Sequence, residues 1–150
     1  MTPDATILIV EDDEGHAILI RQNLEAAGLK NRFLHFHDGQ AVLDFFFKRD
    51  GSKPASQVDS TYLMLLDIRM PKVDGIEVLR RMKADPELRK LPVVVLTTTD
   101  DMREVERCHA LGCNVYLQKP VDFEKFTEAI HRLGRFVALL LVPPLGQRPS

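Results

Sequence analysis

Five short apolar runs punctuate the chain: ATILIV from Ala5, RFLHF from Arg32, YLMLL from Tyr62, PVVVLTT from Pro92 and NVYLQ from Asn114. Runs this short and this continuously apolar are strands buried on both faces, not stretches of helix. Between them the period changes. Ala17, Ile20, Leu24 and Ala27 share one helical face that Gly28 closes. Asp38 is placed to cap a helix through GQAVLDFFF. Asp74 does the same for a helix that turns Ile76, Leu79 and Met82 inward and stops before Pro86. DDMREVERCHALG forms a fourth helix closed by Gly112, and a fifth begins near Asp122, after the break at Pro120. Apolar strands alternating with amphipathic helices dictate a parallel sheet covered on both sides, a three-layer α/β domain. The polar segment KRDGSKPASQVDST, Lys48 to Thr61, reads as an irregular loop. A chain of 150 residues with no internal repeat is one domain.

The composition narrows the partners. A net charge of -2 offers no general attraction to nucleic acid or to an anionic membrane. The longest apolar stretch, FVALLLV from Phe136 to Val142, is far short of the roughly 20 residues that a bilayer requires. No signal peptide opens the chain, so a cytoplasmic location is expected. Cys108 and Cys113 flank His109, too few ligands for a closed zinc site, and are expected as reduced thiols.

In a parallel α/β sheet, ligands meet the chain beyond the carboxyl ends of the strands. Glu11, Asp12 and Asp13 follow the first strand, Asp67 ends the third, Thr97 and Thr98 the fourth, and Lys119 the fifth. Strand-end acids often do no more than cap helices, and Asp13 is expected in that role because two acids suffice. The coincidence of all four positions on one sheet edge carries the functional reading. Three gathered carboxylates repel one another unless a cation is present. Oxygen-only ligands favour a hard ion such as magnesium. With the charge balanced, Asp67 stays ionised and can attack phosphorus to form an acyl phosphate. The ammonium of Lys119 would neutralise charge on the phosphoryl oxygens, and the Thr97 hydroxyl could bond one of them. The five histidines do not cluster with acids or cysteines at metal-ligand spacing, and none is expected in catalysis.

LIVEDD, LLDIRMPKVDG, VVVLTT and YLQKP, in this order, resemble the receiver domain of two-component response regulators over about residues 5–133. The spacings of 30 residues from Asp67 to Thr97 and 22 from Thr97 to Lys119 are similar to those of the chemotaxis-type receiver. The resemblance implies a flavodoxin-like (βα)5 fold with strand order 2-1-3-4-5. It implies that Asp67 is the phosphoacceptor of a sensor histidine kinase, in a protein that assists its own phosphorylation and dephosphorylation without being an ordinary enzyme. Asp12 matches the direct magnesium ligand, Glu11 the acid that reaches the metal through water, and the Arg69 backbone carbonyl a third contact. Thr97 matches the switch hydroxyl, Lys119 the family lysine and Tyr116 the switch aromatic. The Lys119–Pro120 bond matches a cis peptide. Glu11 departs from the pattern only in length, since Asp is also common there. Arg69, two residues past the acceptor, is expected to shield the acyl phosphate and slow its hydrolysis.

The end of the chain, residues 134–150, reads as a helix extension and a Pro-rich tail, too short for a DNA-binding output module. Phe123, Phe126, Ile130, Leu133, Val137 and Leu141 are spaced by three or four, which extends the last helix to about Leu141. Phe136, Leu139 and Leu140 widen its apolar surface. A homodimer or partner interface is therefore expected through the fourth helix, fifth strand, fifth helix and extension, with Phe126, Ile130, Phe136, Val137 and Leu140 in it. The tail, the long loop and LRKLPVVVLTTTDD resemble single-domain receivers that partner bacterial and cyanobacterial phytochrome kinases. Three rivals are weaker. A haloacid-dehalogenase phosphohydrolase would place a second Asp where Arg69 stands. A flavodoxin would need a Ser/Thr/Gly-rich phosphate loop where EDDEGH stands. A receiver that binds its partner without phosphorylation would have no use for the intact acid, Thr and Lys set.

Overall fold

A computed structural model describes residues 5–47, 61–70, 72–98 and 100–139. Pro71, Leu140, Leu141, the Pro-rich tail and nearly all of the 48–61 loop therefore lie outside the described residues. The elements follow as β1 (Thr6–Val10), α1 (Glu14–Ala26), β2 (Arg32–Phe36), α2 (Gly39–Phe46), β3 (Tyr62–Asp67), α3 (Gly75–Ala84), a 3-10 turn (Leu88–Lys90), β4 (Val93–Thr97), α4 (Met102–Ala110), β5 (Val115–Gln118) and α5 (Phe123–Val137). All four strand pairings are parallel, in the order β2-β1-β3-β4-β5. This is the three-layer flavodoxin-like architecture.

Strand alternation divides the core in two. Ile7, Ile9, Leu63, Leu65, Val94 and Leu96 face α1 and α5, whereas Leu8, Val10, Met64, Leu66, Val93 and Val95 face α2, α3 and α4. Both faces of β3 and β4 are buried, which is why their sequences show no polar alternation. Among the described residues an Asp caps each α-helix: Asp13, Asp38, Asp74, Asp101 and Asp122 each accept a backbone N–H from the first turn. A short acidic side chain satisfies otherwise orphaned donors there and also complements the helix dipole. Gly28 and Gly112, at φ 102° and 97°, reverse the chain after α1 and α4 in the left-handed region that other residues avoid.

The last helix departs from expectation. It stops at Val137, with Ala138 as its C-cap, rather than running to Leu141. Three of the expected interface residues are core residues: Phe126, Ile130 and Val137 are 5%, 2% and 0% exposed, packed with Leu24 and the sheet. The stripe they form is the face that α1 and the sheet cover. A Cβ at Gly134 would lie 2.6 Å from that of Ala27, so α1 and α5 approach closely. Phe136 and Leu139 are exposed; Leu140 is outside the described residues.

Candidate functional site

Register brings the distant residues together. Val10 pairs with Leu66 across β1 and β3, so Glu11 and Asp67 emerge side by side at the carboxyl edge. Asp67 pairs with Leu96 and Thr97 with Gln118, which puts Thr97 and Lys119 next along the same edge. The Lys119 backbone N–H donates to Thr97 O at 2.6 Å. Lys119 Nζ lies 2.6 Å from Glu11 Oε1 and 3.5 Å from Asp67 Oδ2, in a pocket that buries all three side chains. A cation so placed can be held only by the charges around it.

Glu11 is fixed from several directions. His16 Nδ1 lies 3.0 Å from its Oε1, His35 Nε2 lies 2.7 Å from its carbonyl oxygen, and its N–H donates to Phe36 O. Its Oε2 is nevertheless buried without a hydrogen-bond partner among the described residues. Asp67 feels the same crowding. Burial, followed by the neighbouring Glu11 carboxyl, pushes its carboxyl up to about 7, against the pull of Lys119. The Arg69 N–H donates to Asp67 Oδ1 at 3.3 Å. Gly75 opens α3 directly behind the acceptor, where a Cβ would lie 2.3 Å from Asp67 O.

Among the described residues, carboxylate oxygens of Glu11, Asp12 and Asp67 lie within 4.8 Å of one another. An orphaned buried oxygen and a carboxyl held near neutrality both signal unbalanced negative charge, which a hard divalent cation would relieve. The donor set fits such an ion. Beside it opens a cleft of about 390 Å³ lined by Asp12, Arg69, Met70, Asp74 and Glu104 among others. A nucleophilic carboxylate, an ammonium, a buried threonine and an open cleft make a constellation suited to taking up a phosphoryl group.

The structure thus assembles Glu11, Asp12, Asp67, Thr97 and Lys119. Asp13 caps α1, accepting the His16 N–H at 3.0 Å. Beside unmodified Asp67, the Arg69 guanidinium pairs with Glu104 Oε2 at 3.5 Å. Tyr116 is half-buried on β5, its hydroxyl enclosed and without a partner among the described residues. Burial, then the Glu104 charge, pushes that phenol up to about 12. The Lys119–Pro120 bond is trans, since no peptide bond of the described residues is cis; before proline the trans isomer is favoured by about 0.5–1 kcal/mol. The sequence reading missed His16, His35 and Glu104. His16 had a local signal, because a residue in the first turn of α1 faces back toward the strand end. His35 and Glu104 had none.

The response regulator receiver domain family matches residues 7–131. The crystal structure of a response regulator receiver domain from Rhodospirillum rubrum is 44% identical, covers 95% of this chain and 99% of its own, and superposes with a TM-score of 0.89. Response regulator Rcp1 of Synechocystis is 30% identical over 89% of each chain. Its Mn(2+)-bound structure covers 92% of this chain and 98% of its own, with a TM-score of 0.79. The phosphorylated cyanobacterial phytochrome response regulator RcpA is 26% identical, covering 93% of this chain and 99% of its own, with a TM-score of 0.81.

Proposed function

Because this chain belongs to the response regulator receiver domain family, we propose that Asp67 accepts a phosphoryl group from the phosphohistidine of a sensor histidine kinase. The observation that carries this reading is the placement of Lys119 Nζ against both Glu11 and Asp67 at the sheet edge. An Asp67 carboxylate oxygen attacks phosphorus as the P–N bond to the kinase histidine breaks, and the bond's electron pair leaves with the imidazole. Glu11, Asp12, Asp67 and the Arg69 backbone carbonyl would hold Mg2+, which when bound supplies charge neutralisation on the phosphoryl oxygens. Lys119 would neutralise a phosphoryl oxygen, and Thr97, buried at the end of β4, would supply its hydroxyl. The rigid, fully buried β3 keeps Asp67 in line for attack.

The phytochrome relatives point to a light-sensing kinase as the partner, and the reading places the protein in the cytoplasm. Exposed Val121 and Phe123, which line a pocket with His16, Thr98 and Lys119, offer that kinase an apolar footing. The signal leaves through α4, β5 and α5. Exposed Phe136 and Leu139, beside an apolar cavity of about 410 Å³ between β5 and α5, form the homodimer face in place of the buried residues first expected there. Neither nucleic acid nor membrane is a partner in this scheme.

Intact mass after incubation with acetyl phosphate tests the proposal. One phosphoryl adduct that requires magnesium and disappears in Asp67→Asn supports it. A chain that takes no adduct under any condition is instead a receiver that binds its partner unphosphorylated.

A further inference from the structure

The inference rests on Asp67 as phosphoacceptor and concerns three residues beyond the acid cluster. Arg69, two positions past Asp67, reaches away from it, and its Nη2 donates to Glu104 Oε2 at 3.5 Å. Glu104 lies in the first turn of α4 with its side chain 15% exposed, and its other oxygen, Oε1, is buried without a hydrogen-bond partner among the described residues. Across the interior on β5, the Tyr116 hydroxyl is likewise buried and unpartnered among the described residues. Glu104 sits on α4, which packs against β5, the strand that carries Tyr116. A lone buried acceptor and a lone buried donor are each unfavourable, and a hydrogen bond between them would satisfy both.

We propose that Glu104 is a two-position carboxylate that couples Asp67 to Tyr116. It is held by Arg69 while Asp67 is unmodified, and it accepts the Tyr116 hydroxyl once Arg69 turns to the phosphorylated acceptor. A phosphoryl group adds about -1.5 to -2 charge and three strong acceptors beside Arg69. A guanidinium prefers bidentate contact with such oxygens to a single long bond with a carboxylate. Released from Arg69, Glu104 is free to turn its buried Oε1 to the Tyr116 hydroxyl, both of which lack a hydrogen-bond partner among the described residues. The move draws α4 and β5 together and changes the surface between them. Glu104 is thus a positioning residue that does not touch the reacting atoms.

Beryllofluoride, a stable phosphoryl analogue, tests this on the full chain with magnesium. With Glu104→Ala, Arg69 has no competing partner, so beryllofluoride should bind about two- to fivefold more tightly, the scale of a partly exposed ion pair. The same change in an Arg69→Gln background should alter affinity not at all. The chain has only two tyrosines, so ring-labelled tyrosine NMR gives two assignable signals, with Tyr116→Phe identifying one. Beryllofluoride should shift the Tyr116 signal in wild type, and Arg69→Gln should shift it in the same direction without the analogue. Glu104→Ala should abolish the response, while Glu104→Gln, which keeps an acceptor, should retain it. Equal affinity changes in both backgrounds, or an unchanged Tyr116 response in Glu104→Ala, would overturn the coupling alone. Failure of wild type to bind beryllofluoride would overturn the reading of Asp67 and this inference with it.

Discussion

Replacing Asp67 by asparagine should stabilise the metal-free protein, and the gain should depend on pH in a calculable way. The folded chain holds the Asp67 carboxyl near 7 against an ordinary 3.8, chiefly through burial. The native state therefore binds more protons than the unfolded state between those values, and wild-type stability falls as pH rises through that window. At about 1.4 kcal/mol per pH unit, ionised Asp67 costs roughly 4 kcal/mol once pH exceeds 7. The neutral amide would keep the shape of the protonated acid and avoid that cost. For a chain of this size the difference corresponds to a rise in Tm of roughly 10 °C. Thermal unfolding of both proteins in chelator, from pH 4 to pH 8, should show almost no gap at the acid end. The gap should open steadily to about pH 7 and then stay level. Magnesium at pH 8 should narrow it by stabilising wild type more than the variant, which lacks a ligand. A gap independent of pH, or a wild type more stable than the variant at pH 8 in chelator, would refute the reasoning.

Lys119→Met leaves Glu11 and Asp67 buried without their cation, and urea unfolding at pH 8 should show a loss of about 3–5 kcal/mol. Gly75→Ala drives a Cβ to within 2.3 Å of Asp67 O, so the acceptor backbone must shift. A loss of roughly 2 kcal/mol should accompany impaired uptake from acetyl phosphate, followed by intact mass. Asp74→Ala next door removes the α3 cap and one carboxylate from the rim of the cleft. It should cost about 1 kcal/mol in the same unfolding experiment and leave uptake largely intact. Burial pushes the Cys108 thiol up to about 11, so alkylation of the native protein at pH 8 should spare Cys108 and become rapid only in denaturant.

The division between what sequence and fold each decide is physical. Strands, helices and caps were legible because their causes are local: unbroken apolar runs, the 3.6-residue period, and an Asp before each helix. From β3 alone one could read that Asp67 ends a strand buried on both faces. Parallel strands place their ends on one edge, so the meeting of Glu11, Asp12, Asp67, Thr97 and Lys119 also followed from chain order. The periodicity of α5 announced an apolar stripe, but not what would cover it. Docking onto α1 and the sheet made Phe126, Ile130 and Val137 core residues. The trans Lys119–Pro120 bond, too, is settled by context, because the two isomers differ intrinsically by so little. Contacts of Glu11 with His16 and His35, and of Glu104 with Arg69, join side chains from different elements. No spacing rule encodes such meetings: which polar groups are buried together, and which are left unpaired, is decided only when the layers close.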